Sequence, residues 1–172
     1  MKPKTAGRAS GNIPPTDRSA QPNMSGAGLV SGARILTLRG EQPVETLRAG
    51  DRVIARGGGA VPLTGIDVVS MVTHVVYIIA GSIGHSRPDS DTLLTADQTV
   101  LIRDWRAMAF YGAPQALVPA RRLIDGEFVR NLGQQAVTLY RLHCAAPQVV
   151  FADGLELGTA NSFAQEMPHH TA

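Results

Sequence analysis

The chain lacks the features that would place it in several large protein classes. Its 172 residues include one cysteine, Cys144, which excludes an internal disulfide and a disulfide-stapled scaffold. No run of 18 apolar residues occurs, so the sequence predicts no membrane-spanning helix. No apolar segment follows Lys2 and Lys4 to form a secretory signal. We therefore expect a cytoplasmic protein.

Net charge is small and unevenly placed. Sixteen Lys and Arg against 14 Asp and Glu give +2. Residues 1–27 hold four basic side chains and one acidic, so this segment carries +3 and the body carries −1. Because the body is nearly neutral, its charge gives no reason to predict that it binds nucleic acid. Residues 1–27 are also rich in Pro, Gly and Ser, which predicts a disordered basic leader, and residues 165–172 are predicted to be a flexible tail.

The side-chain pattern offers no site for a metal or cofactor. Zinc needs three or four convergent His, Cys or carboxylate ligands, which His143-Cys144 and the terminal His169-His170 do not supply. Neighbours in a strand point to opposite faces, so His143 and Cys144 cannot form a nucleophile–base pair. The Gly57-Gly58-Gly59 run lacks the Lys-Ser/Thr of a phosphate loop and predicts a hairpin turn. We predict no cofactor and leave a protein partner open.

Short β-branched runs with glycine-rich turns dominate the remainder, and helical periodicity is scarce. Single turns are predicted at 44–47 and 120–123. Trp105, Phe110 and Tyr111 indicate one apolar cluster. Regular strands without a long helix favour an all-β barrel or sandwich. Strands are predicted at residues 33–38, 52–56, 68–80, 93–94, 99–102, 117–118, 127–131, 136–142 and 148–152.

Four blocks, in order, resemble the Hint domain, the hedgehog/intein autoprocessing fold, in its bacterial branch. The opening is carried by residues 28–37 (GLVSGARILT) and 43–53 (PVETLRAGDRV). The second block is 95–101 (TADQTVL), and the third is 117–123 (LVPARRL). The closing strands correspond to 140–143 (YRLH), 149–155 (VVFADGL) and Ser162-Phe163. The resemblance implies an all-β, horseshoe-like fold with almost no helix over residues 28–164.

The resemblance also implies a degenerate site. Hint autoprocessing begins with a thiol or hydroxyl attacking the preceding carbonyl, and it needs a proton-handling group and oxyanion donors. Gly28 stands at the nucleophile position, and Thr95 is kept. Gln98 replaces the family's His, and an amide cannot exchange a proton near pH 7. The family's polar Asp-Arg-His positions are Ala145, Ala146 and Pro147 here.

Some residues are compatible with an active autoprocessing domain. Ser25 and Ser31 flank Gly28 by three residues and are candidate displaced nucleophiles. Asn161-Ser162 fits the Asn-Ser dipeptide at which inteins cyclise, although the usual preceding His is Ala160. A third possibility is an unrelated β-barrel hydrolase built on the loop 81–91, which contains His85, two serines and two aspartates.

These observations predict a Hint-fold protein that is defective in self-cleavage and splicing and acts as a binding or interaction module. The alternative is an active autoprocessing domain that uses a displaced nucleophile or Asn161 cyclisation. We also expect Gly28 to lie near both Thr95–Gln98 and Gly154, because the family's first strand, second block and last strand converge on one site.

Overall fold

The computed structural model describes residues 26–159, and nearly all of the regular structure there is β-strand. A seven-residue helix, α1 (Trp105–Tyr111), and two 3-10 turns, Val44–Thr46 and Ala120–Leu123, are the helical elements of this part. The strands are β1 (Leu29–Val30), β2 (Arg34–Thr37), β3 (Gly40–Pro43), β4 (Arg52–Ala55), β5 (Gly59–Pro62), β6 (Gly65–Ile78), β7 (Thr92–Thr95), β8 (Thr99–Ile102), β9 (Ala116–Pro119), β10 (Val129–His143), β11 (Val149–Ala152) and β12 (Leu155–Gly158).

The strands form two antiparallel sheets. One has the order β1-β10-β6-β7, and the other runs β3-β2-β4-β11-β12-β8-β9 with β5 paired to β4. The glycine run Gly57-Gly58-Gly59 turns β4 into β5, as its sequence predicts. The apolar residues of both sheets meet in one core that includes Ile35, Val53, Val100 and Leu157. The all-β expectation is therefore confirmed.

A long ribbon of β6 and β10 forms the spine of the first sheet. The sequence predicts two strands at 127–131 and 136–142, but the structure has one strand with a register shift between Asn131 and Gln134. Gly133 has a φ of +77° in this bulge, and its N–H donates to the Asn131 side chain. A bulge adds one residue without ending the pairing, which explains why the turn-like sequence lies inside a strand.

Helix α1 is absent from the sequence prediction. Asp104 caps its first turn by accepting the Arg106 N–H at 3.0 Å, and Gly112 ends it with φ +67°. Of the three residues predicted to form one apolar cluster, Trp105 and Phe110 are in contact, with ring centroids 5.9 Å apart, whereas Tyr111 packs against the core. The cluster is on the surface, however, because the two side chains are 67% and 65% exposed.

The described structure begins inside the segment that the sequence assigns to the leader. Gly26 and Ala27 are buried against the body. The other residues of the predicted leader, and the predicted tail 165–172, lie outside the described residues. Among residues 26–159, no helix has the length and apolar character needed to cross a membrane.

The turn that leads into β10 yields a pH-dependent prediction. Asp125 Oδ1 accepts backbone N–H groups of Glu127, Phe128 and Val129 at 2.8–2.9 Å. Burial tends to raise the pKa of Asp125, but these three donors and nearby Arg106 lower it overall. We expect Asp125→Ala to lower the free energy of unfolding by about 1 kcal/mol at pH 7.

The sign of this pH dependence follows from the lowered pKa. The carboxylate stabilises the fold above its unfolded-state pKa of about 3.9, and the effect is lost as the pH falls through the lower folded-state value. Urea titrations of wild type and Asp125→Ala at pH 7 and pH 3 measure this, with exposed Glu127→Ala as the control. A difference between wild type and Asp125→Ala that grows towards pH 3 would refute the assignment.

Candidate functional site

The first strand, the second block and the end of the last strand meet at a small cavity. Its volume is ≈ 10 Å³, close to the minimum that holds one water molecule. Leu29 pairs with Tyr140, and this pairing places Gly28 over β10. The lining residues are Gly28, Leu29, Gln98, Tyr140, Arg141, Leu142, Val150, Gly158 and Thr159. The expected proximity of Gly28 and Gln98 is therefore present.

Gly28 has a backbone that favours glycine. Its φ is +149°, a conformation that residues with a side chain rarely adopt. A Cβ at this position would lie 3.1 Å from Leu139 Cβ and 3.3 Å from Arg141 Cγ. Those distances are shorter than ordinary carbon–carbon contact. The position assigned to a nucleophile by resemblance thus has neither a side chain nor space prepared for one.

Two polar side chains hold the peptide segment that precedes Gly28. The Arg141 Nε–H donates to the Ala27 carbonyl oxygen at 2.9 Å. Asp97 Oδ2 accepts the Gly26 N–H at 2.8 Å, and Asp97 Oδ1 pairs with Arg121 at 2.8 Å. We call Asp97 and Arg141 the junction clamp. The clamp fixes the backbone on the N-terminal side of the Ala27–Gly28 bond.

Gln98 closes the opposite wall of the cavity. Its side chain is 1% exposed, and its Nε2 donates to the carbonyls of Thr99 at 3.0 Å and Gly158 at 2.9 Å. The amide therefore bonds a carbonyl, as its chemistry predicts, but the acceptors are in β8 and β12 rather than at Ala27. Gln98 ties the second block to the last strand.

Thr95 ends β7 and is fully buried. Thr95 Oγ1 has no hydrogen-bond partner among residues 26–159. The same is true of Thr99 Oγ1. Neither hydroxyl therefore takes part in the hydrogen bonds that the described residues form around the cavity.

The predicted neighbour Gly154 is at the wrong end of the last strand. Gly154 packs against Asp89, and the residues that reach the Gly28 cavity are Gly158 and Thr159. At ~3.3 Å per residue, Gly154 and Gly158 lie ~13 Å apart along β12. The family resemblance identified the strand correctly, but its antiparallel direction brings the C-terminal end to the site.

The other candidate catalytic residues make different contacts, are exposed, or lie outside the residues that the structure describes. Ser31 donates to exposed Glu45 at 2.9 Å. Ala145, Ala146 and Pro147 are exposed and offer no ionisable side chain. Ser25, Asn161 and Ser162 are outside the described residues.

The alternative nucleophile–base pairs do not assemble in the described structure. His143 Nε2 lies 2.7 Å from Asp67 Oδ2, whereas Cys144 is buried and burial raises the pKa of its thiol. In the loop between β6 and β7, Ser82 donates to the Ile79 carbonyl, and Asp91 accepts the Tyr77 hydroxyl. Within residues 26–159, no group of three His, Cys, Asp or Glu is arranged to hold a metal ion.

Sequence reasoning missed the junction clamp. Asp97 and Arg141 are both inside blocks that resemble the family, but their neighbours in sequence do not indicate a shared role. They act together because β10 and the turn after β7 both contact residues 26–28. A long-range contact of this kind is visible only in the folded chain.

Comparisons with known proteins identify the family. The Hint domain model matches residues 27–164, which is more than half of the chain. A bacterial intein-like domain from Clostridium thermocellum is similar at 19% identity, with 77% of this chain and 98% of that chain covered and a TM-score of 0.53. A DnaB intein from Synechocystis is 12% identical, with 77% and 99% covered and a TM-score of 0.51.

At these identities the structural likeness shows the fold. Among curated proteins, none matches this chain. The family model supplies the assignment independently of the structural likeness. This chain belongs to the Hint domain family.

Proposed function

We propose that this protein is a Hint-fold module that does not cleave or splice itself and that binds a protein partner. One observation carries the proposal: the cavity beside the Ala27–Gly28 bond is lined by no thiol, serine hydroxyl or imidazole among the described residues. The Thr159 hydroxyl at its edge accepts the Gln148 N–H at 3.0 Å. Acyl transfer needs a nucleophile and a group that moves protons.

The junction clamp supports the same proposal. Residues 26–28 are buried and hydrogen-bonded in the place where a scissile peptide would lie. Without a nucleophile, these contacts bind the chain's own backbone and keep the cavity closed to other ligands. The clamp then contributes to stability rather than to turnover.

Exposed apolar side chains on α1 support the binding role. Trp105, Met108 and Phe110 are 67%, 56% and 65% exposed. Large apolar side chains grouped on a surface commonly mark interaction sites. Trp105 is the only tryptophan of the chain. Its fluorescence therefore reports directly on a partner that covers α1, and a stable complex that leaves the emission unchanged would refute binding at this surface.

One contact favours the alternative of residual autoprocessing. The Arg141 guanidinium donates to the Ala27 carbonyl oxygen, as an oxyanion donor does in acyl transfer. Attack by Ser25 or Ser31 on this Ala27 carbonyl would move the acyl group to the serine oxygen and the proton to the Gly28 nitrogen, which breaks the Ala27–Gly28 bond; hydrolysis of the ester would then release residues 1–27. Cyclisation of Asn161 would break the chain after residue 161. The two routes therefore give fragments of different size.

The experiment is expression of the full chain between two different carrier proteins. We expect a single band that carries both carriers after purification and after incubation for a day at 25 °C. Variants Ser25→Ala, Ser31→Ala and Asn161→Ala serve as matched controls. Any fragment that is present in wild type and absent from one of these variants would establish the corresponding route and refute the proposal.

A further inference from the structure

We propose that Arg56, Arg87, Arg103 and Glu156 form a binding site for a tetrahedral oxyanion of the phosphate class. The cluster is separate from the Gly28 cavity, and the inference does not depend on the proposed function. We call these four residues the arginine cluster.

Three guanidinium groups meet on one carboxylate oxygen. Arg56 Nη1, Arg87 Nη1 and Arg103 Nη2 lie 3.2, 3.1 and 2.9 Å from Glu156 Oε1. Arg56 follows β4, Arg103 follows β8, and Arg87 comes from the loop between β6 and β7. Glu156 is in the middle of β12 and only 3% exposed. Distant parts of the chain thus bring positive charge to one place.

The charges of the cluster do not balance. Three arginines face one carboxylate, which leaves an excess of two positive charges among the described residues. Asp89 packs on Gly154, two residues before Glu156, but no ion pair in residues 26–159 joins Asp89 to the cluster. Like charges held this close repel one another, and an anion relieves that repulsion.

The guanidinium groups also retain donors that can bind a ligand. An arginine commonly binds a carboxylate through two parallel N–H···O hydrogen bonds. Each arginine here donates from only one nitrogen, and all three donate to the same oxygen, Glu156 Oε1. The three arginine side chains are 35%, 32% and 29% exposed, so solvent reaches the outer side of the cluster.

Phosphate fits this arrangement by charge and by geometry. It carries up to two negative charges near pH 7, which equals the excess, and its oxygens can accept bonds from several guanidinium forks at once. The same chemistry is present in free phosphate and in a phosphomonoester.

The test is calorimetric titration of the full chain with sodium phosphate at pH 7 and constant ionic strength. We expect one site in wild type and binding weakened by about tenfold or more in Arg87→Ala, because a charge-assisted bond is lost. The matched control is Arg39→Ala, since Arg39 is 80% exposed and pairs with Asp51 outside the cluster. Glu156→Gln is expected to bind phosphate more tightly, because the opposing charge is removed.

The outcomes separate an arginine cluster that binds an anion from one that only stabilises the fold. Equal responses to phosphate and chloride, or equal phosphate affinities of Arg87→Ala and Arg39→Ala, would overturn the proposal. Weaker phosphate binding by folded Glu156→Gln would overturn it too. If Glu156→Gln does not fold, the phosphate affinities of Arg87→Ala and Arg39→Ala are sufficient to test the proposal. A parallel titration with glycerol phosphate distinguishes the sources: equal or tighter binding shows that the site admits a phosphomonoester, and lost binding restricts the site to the free ion.

Discussion

Replacing Glu156 with alanine is expected to lower the free energy of unfolding by about 3 kcal/mol, because it leaves three neighbouring guanidinium groups without their shared counter-charge. The value is at the low end of the range for a broken buried ion pair, since about a third of each arginine side chain stays in water. Glu156 also joins three segments that the chain does not otherwise link by ion pairs among the described residues.

Urea denaturation at pH 7 measures this effect. The matched control is Glu41→Ala, because Glu41 faces Arg34 at 3.6 Å on the surface and both side chains are more than half exposed. An exposed pair of this kind contributes about 0–1 kcal/mol. Equal losses for the two variants would show that the arginine cluster is not a structural ion network.

Placing a cysteine at position 28 is expected to destabilise the protein by about 2–4 kcal/mol, without any gain of cleavage. A side chain at φ +149° is strained, and its Cβ would press on Leu139 at 3.1 Å. The backbone term is about 1–2 kcal/mol and the overpacking term about 1–3 kcal/mol. The space around Gly28 is therefore closed to a cysteine side chain.

Gly32→Cys is the matched control for this substitution. Gly32 also has a positive φ, +92°, but a Cβ there meets nothing within 4 Å. Thermal unfolding of the two variants isolates the contact with Leu139 from the backbone strain. If Gly28→Cys were as stable as Gly32→Cys, the site would be open, and the closed-cavity account would be wrong.

Much of the fold can be predicted from the sequence, because strand periodicity and glycine turns depend on residues that are close together in the chain. The strand Thr99–Ile102 and the 3-10 turn Ala120–Leu123 match their predicted bounds. Helix α1 is missed because it is only seven residues long and its large apolar side chains Trp105, Met108 and Phe110 are exposed, with Ala107 as its one buried residue. A short helix without a buried stripe has no periodicity that a sequence can show.

The site is harder to predict from the sequence because the residues in contact there are distant from one another along the chain. The family resemblance led to Gly28 and Gln98, but it selected Gly154 where the fold uses Gly158. Arg141 and Ala27 are 114 positions apart, and Glu156 is 53 or more positions from each arginine that it binds. Residue type alone gives no indication that these charges share one location.

The most direct test of the account is the intact mass of the purified full chain over several days at pH 7, with and without dithiothreitol and hydroxylamine. These nucleophiles cleave thioesters and esters, so they trap any acyl intermediate that forms. Losing the residues of a catalytic unit costs on the order of 10⁴-fold or more in rate. The account predicts an unchanged mass under all three conditions. Loss of the 27 residues before Gly28, or of any segment at a thiol-sensitive rate, would contradict it.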